Sequence, residues 1–95
     1  MEKEKIKGYL NISRKAGYMI VGGEILENYS KKLYLVLYDK SAAKNTLKVV
    51  AKIKEKGIKV IEVENLAQLC SIENCKIIGI KNKNISDIIE NIIVE

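Results

Sequence analysis

The unbroken apolar run Leu33-Tyr34-Leu35-Val36-Leu37-Tyr38 constrains this chain more than any other feature. A strand with one wet face alternates polar and apolar residues, whereas a continuous run reads as a strand covered on both faces. The rest of the chain must therefore supply helices for each side. From Lys3 to Lys15, the positions Ile6, Tyr9, Leu10 and Ser13 recur at helical spacing. Gly17 ends that segment, with Arg14 and Lys15 in its last turn, where cations suit the helix dipole. Tyr18-Met19-Ile20-Val21 reads as a short apolar strand. Gly22-Gly23 follow, and Glu24 to Ser30 read as a short helix with an acidic first turn. Ser41 is placed to cap a long helix running to about Lys56, with Ala43, Leu47, Val50, Ala51 and the stem of Lys54 on its inner face. Gly57 stops it. Ile58 to Val63 is the next strand, Asn65 caps a short helix through Leu69, and Lys76 to Ile80 is a fourth strand. The last helix starts near Asn84, where Ile85, Ile88, Ile89, Ile92 and Ile93 fall on one helical stripe.

Strands alternating with helices predict an α/β fold with helices on both faces of one sheet. The 95 residues fit a single domain over 1–95. A chain this short buries roughly 60–65% of the surface its unfolded form exposes. Its 47% hydrophobic content, aliphatic with no Phe or Trp, suffices for that core. The opening Met1-Glu2-Lys3-Glu4-Lys5 is charged with no apolar stretch behind it, so no secretory signal is expected. No apolar run approaches the ~20 residues of a membrane span. Two cysteines without extracellular signals fit reduced thiols. A cytoplasmic, monomeric protein with no membrane partner is expected.

Most catalytic chemistry lacks its residues. With no His there is no neutral-pH imidazole base and no imidazole metal ligand. Cys70 and Cys75 have no second pair or His to complete a zinc site, and read as small buried residues at a helix–strand junction. The glycines of Gly17 to Glu24 have the spacing of a phosphate loop but lack its Lys-Ser/Thr. Glu62 with Glu64, and Glu24 with Glu27, form same-side pairs that read as solvated surface. No enzyme activity, cofactor or metal is expected.

Three features point to an anionic partner, alongside a net charge of +5. Gly22-Gly23-Glu24 opens a helix: glycines allow close backbone approach, and a glutamate there can accept hydrogen bonds from base edges. Lys44, Lys48, Lys52 and Lys56 stack on one helix face, where they form either a solvated outer face or a strip tracking phosphates. The third is the basic pair Arg14-Lys15 just before Gly17.

The stretch Ile12-Ser13-Arg14-Lys15-Ala16-Gly17-Tyr18-Met19-Ile20-Val21-Gly22-Gly23-Glu24 resembles the opening of short bacterial proteins of the kink-turn RNA-binding ribosomal family. These are YlxQ-like relatives of archaeal large-subunit protein seven-Ae and eukaryotic large-subunit protein thirty-e. The likeness continues through Leu35 to Tyr38, Asn45-Thr46, Val60 to Val63 and Leu69. It implies a three-layer α-β-α sandwich around a mixed four-stranded sheet. It also implies binding of structured, kink-turn-like RNA, in a ribosome-associated or ribosomal-protein-like role, with no DNA partner expected. In such proteins the second helix enters a groove widened at tandem sheared G·A pairs. Gly22, Gly23 and Glu24 match that element, with Glu24 on the glutamate that contacts a guanine. The loop Val63-Glu64-Asn65 matches the one covering a flipped-out nucleotide, with Val63 packing on a base. Arg14, Lys15 and nearby lysines, Lys40 among them, would neutralise phosphates. Glu27 stands where the family carries lysine, Glu62 and Glu64 flank the loop, and Cys70 replaces a usual glycine. Glu27 and Glu64 favour an alternative: a protein-interaction module on the same fold that has lost specific RNA contacts.

Overall fold

The computed structural model describes residues 2–94; Met1 and Glu95 lie outside the described residues. The apolar run forms the heart of a four-stranded sheet of order β1-β4-β2-β3, built from β1 (Met19–Val21), β2 (Leu35–Asp39), β3 (Val60–Val63) and β4 (Ile77–Ile80). β2 runs parallel to β3, and β4 runs antiparallel to both β1 and β2, so the sheet is mixed. β2 begins two residues later than the apolar run suggests. Leu33 and Tyr34 lead into it, although the Tyr34 N–H already donates to Ile80 O at 3.0 Å.

Among the described residues five helices accompany the sheet: α1 (Lys3–Lys15), α2 (Gly23–Glu27), α3 (Lys44–Glu55), α4 (Leu66–Cys70) and α5 (Lys83–Val94). Alternation along the strands divides the core into two layers. Leu35 and Leu37 of β2, with Ile78 and Ile80 of β4, pack on Ile6 and Leu10 of α1, Leu66 and Leu69 of α4 and Ile89 of α5. Residues of the opposite parity, Val36 and Ile77, pack on Leu26 of α2 and on Val49, Val50 and Ile53 of α3. The result is the expected three-layer α-β-α sandwich. Ser13 is fully buried on α1, its hydroxyl donating to Tyr9 O at 2.9 Å, so it occupies a core position without an unmet hydrogen bond.

Two helix faces differ from the sequence reading. α3 begins at Lys44 after Ala43, not at Ser41, because Ser41 gives its amide and hydroxyl to Asp39. It buries Val49, Val50 and Ile53, while Leu47 is 44% exposed and Ala43, Ala51 and Lys54 face water. Of the expected inner face only Val50 stands, since Val49, Val50 and Ile53 offer more branched apolar volume to the sheet than Ala43, Leu47 and Ala51. On α5, Ile89 is fully buried, Ser86 is buried beside it, and Ile88 lies 38% exposed. The isoleucine stripe is thus wider than the contact it makes. Asn82 Oδ1 accepts the Ile85 N–H at 2.9 Å and starts this helix as an N-cap.

Gly79, inside β4, sets how closely α2 approaches the sheet. A Cβ there would lie 2.6 Å from Leu26 Cδ2 and 3.2 Å from Leu33 Cδ2, and both leucines are buried. Gly79→Ala is therefore expected to cost about 1–3 kcal/mol through overpacking. In a Leu26→Ala background the same change should cost markedly less, which a double-mutant cycle by urea denaturation measures.

Candidate nucleic-acid interface

The strand directions bring four chain segments to one end of the sheet. Asp39 pairs with Val63, Tyr38 with Ile77, and Val21 with Ile78. The residues that follow β1, β2 and β3, and those that precede β4, therefore meet there: Gly22-Gly23, Lys40-Ser41, Glu64-Asn65 and Cys75-Lys76. Two depressions open on this end. One, of about 520 Å³, is lined by Asp39, Lys40, Ser41, Glu64, Asn65, Ala67 and Lys76. The other, of about 320 Å³, includes Gly22, Gly23, Thr46, Asn74, Cys75 and Lys76. Lys76 lines both.

A single carboxylate organises this end. Asp39 is 5% exposed. Its Oδ1 accepts the Leu66 N–H at 2.7 Å, the first amide of α4. Its Oδ2 accepts the Ser41 N–H at 2.8 Å and the Ser41 hydroxyl. Lys76 Nζ donates to Ser41 Oγ at 2.8 Å and stands 3.7 Å from Asp39 Oδ2. The backbone holds the same point, with the Asp39 N–H donating to Lys76 O and the Lys40 N–H to Val63 O, each at 2.8 Å. The Ser41 hydroxyl first, then the Leu66 amide, hold the Asp39 carboxyl below its ordinary value of 3.8, at about 2.

The glycine turn is open. Gly22 has φ +105°, donates its N–H to Ile77 O at 3.2 Å and accepts from the Leu26 N–H at 3.1 Å. No heavy atom lies within 4 Å of where its Cβ would stand. The first-turn amides of a helix have no acceptor within the helix, so those after Gly22 are available to a partner. Glu24 is exposed, and among the described residues its carboxylate has neither ion pair nor hydrogen bond. It adjoins Gly23 but lines a separate depression of about 560 Å³ on the outer side of α2, with Ile25, Lys31 and Lys81.

The other expected site residues divide. Lys40 lies at the sheet end, its Nζ 3.6 Å from Glu64 Oε1. Asn65 lines the same depression as Lys40. It precedes α4 with φ 53°, and its side-chain amide donates to Gln68 Oε1 at 2.9 Å instead of capping the helix; Asp39 receives the first amide. Val63 needs correction. Its side chain is 4% exposed within the core beside Leu66 and Leu69, because it shares the inward parity of β3, so it is not free to pack on a base. Glu64 and Asn65 are the loop's exposed residues. Arg14 and Lys15 are also set apart, since they precede β1 while Gly22 follows it. The Arg14 guanidinium donates to Ser71 O at 3.2 Å, at the C-terminus of α4.

Two of the acidic departures from the family pattern are paired with lysine. Glu27 pairs with Lys52 of α3, Glu64 with Lys40, and Glu62 Oε1 accepts from the Tyr38 hydroxyl at 3.5 Å. Lys44, Lys48, Lys52 and Lys56 are all exposed along α3, with Lys52 engaged by Glu27. Cys70 and Cys75 are free and buried, and the neighbouring Cys75 thiol holds the Cys70 thiol below its ordinary range. Among the described residues no group of three or more His, Cys, Asp or Glu is placed to hold a metal ion. Among the described residues no helix is long and apolar enough to cross a membrane.

No family model matches the chain, and no curated protein matches it. A solved structure of a protein of unknown function from Bacillus halodurans C is similar to it, with a TM-score of 0.80. That likeness covers 96% of this chain and 98% of the other at 23% sequence identity. At this identity the likeness shows a shared fold and nothing of function.

Asp39 and Lys76 escaped the sequence reading. The one available signal was a lone carboxylate ending an apolar strand two residues before a serine, a pattern that favours a side-chain-to-backbone turn. Because the folded carboxyl is held below its unfolded value, its stabilisation is complete above about pH 4 and is lost as pH falls toward 2. Asp39→Asn should cost about 1–3 kcal/mol near neutral pH, through the loss of charge-assisted acceptors. It should also flatten the acid limb of a stability–pH profile measured by urea denaturation.

Proposed function

We propose that the protein binds structured, kink-turn-like RNA without catalysis, as a cytoplasmic monomer in a ribosome-associated or ribosomal-protein-like role. The observation that carries this reading is the convergence of the open Gly22-Gly23 turn, Lys40, the Glu64-Asn65 loop and Lys76 at one end of the sheet. The unpartnered Glu24 carboxylate adjoins that turn. Two of these segments match those the kink-turn family uses, and Gly22-Gly23 also carry part of the resemblance in sequence.

The chemistry is binding alone. Glu24 accepts hydrogen bonds from guanine edges, the first-turn amides of α2 approach the bases closely beside two glycines, and the ammonium groups of Lys40 and Lys76 donate to phosphate oxygens. Bulged, unstacked RNA suits this mode, because an A-form major groove is too narrow for side chains to read. Asn65 and Glu64, not Val63, meet the flipped-out nucleotide. The pairing of Glu27 and Glu64 with lysines supports the reading, since neither carboxylate presents an uncompensated charge to phosphate.

One observation favours the second reading, a protein-docking module: Ile25 of α2 is 60% exposed and Leu47 of α3 44%. An apolar protein contact holds its affinity as salt rises, whereas phosphate contacts weaken steeply. A gel-shift titration compares a kink-turn RNA with the same RNA lacking its G·A pairs. Binding is expected only to the intact motif, and Glu24→Gln should weaken it by about 1–3 kcal/mol. Equal affinity for both RNAs would defeat base-edge reading at this turn.

A further inference from the structure

A cluster of four lysines lies at the opposite end of the sheet. There the segment after α2, the start of β2 and the turn from α3 into β3 enclose a cleft of about 630 Å³. Lys31, Lys32, Lys56 and Lys59 line it, with Tyr29 and Tyr34, and no acidic residue does. Lys59 lies 3.4 Å from Glu90, while Lys31, Lys32 and Lys56 have no ion pair among the described residues. Lys32 Nζ sits 5.3 Å from the centroid of the Tyr34 ring. Leu33 and Ile53 supply an apolar floor. The glycine end, by contrast, sets Asp39, Glu64 and Glu73 against Lys40 and Lys76, leaving no basic excess.

We propose that this cleft is a second nucleic-acid site that takes one nucleotide of single-stranded RNA. Its base lies against tyrosine, and its flanking phosphates lie on Lys31, Lys32 and Lys56. The cleft falls within the size of small-ligand sites, roughly 300–1,000 Å³, which fits a single base and sugar. Tyrosine faces accept any base by stacking, and lysines at a groove's lip neutralise the strand that carries it. An acidic peptide would use the charge but would leave the ring-lined, apolar interior empty. A duplex cannot deliver a base into a recess without unstacking it. Lys44, Lys48 and Lys52 continue from Lys56 along α3 toward the glycine end, about 18 Å for twelve residues of helix. A strand leaving the cleft therefore has a basic path to the first site.

This inference extends the RNA-binding reading but rests on residues of the far sheet end alone. The test is fluorescence anisotropy of labelled hexauridylate and hexaadenylate with the full chain at several salt concentrations. The double variant Lys31→Gln, Lys32→Gln should lower affinity about tenfold or more and reduce the salt slope by about 1.4, the share of two phosphate contacts on a single strand. Tyr34→Phe should retain binding, and Tyr34→Ala should lose about fivefold or more. Three results would overturn the cleft: no oligonucleotide binding, binding indifferent to the lysine pair, or displacement by hexaglutamate as effective as by unlabelled hexauridylate. If oligonucleotides bind with this dependence while kink-turn RNA does not, the first site fails and the cleft stands. If kink-turn RNA binds and the cleft variants change nothing for oligonucleotides, only the cleft fails.

Discussion

The buried carboxylate of Asp39 holds the candidate site together. It ends the central strand, takes the first amide of α4, and fixes the Ser41 turn that delays α3 until Lys44. Lys76, at the entrance to β4, completes the cluster through Ser41. A charged group this buried is tolerated only when hydrogen bonds replace its water, and here three protein donors do so. Three chain segments separated widely in sequence thus share one anchor. The positions of Lys40, Glu64 and Asn65 follow from it.

The fold was legible because it rests on patterns within single segments. The run from Leu33 to Tyr38 announced a doubly covered strand, and helices alternating with strands announced its covers. The face of α3 was less legible, because apolar residues occur on two adjoining stripes and only the tertiary contact chooses Val49, Val50 and Ile53. Val63 was misjudged as a loop residue when its parity along β3 points it inward with Ile61. Asp39 was not legible at all. Its helix-capping partner Leu66 lies 27 positions away, and no local rule links the two.

Charge was the least readable quantity of the site. In sequence, Glu27 and Glu64 looked like obstacles to a phosphate backbone, and Arg14 with Lys15 looked like part of the interface. Folding pairs the two glutamates with Lys52 and Lys40, and turns Arg14 toward the carbonyl of Ser71. It also gathers Lys31, Lys32, Lys56 and Lys59, from two separate segments, around two tyrosines at the far end of the sheet. Net charge could report an excess of lysine but not its division between the ends of one sheet.

The central claim is that RNA is held at the sheet end anchored by Asp39. Amide chemical-shift mapping of the isotopically labelled protein with kink-turn RNA tests it most directly. The account predicts the largest changes at Gly22, Gly23, Glu24, Lys40, Glu64, Asn65 and Lys76, with the face formed by α1 and α5 unmoved. Changes confined to that helical face, or no changes at stoichiometric RNA, would contradict it.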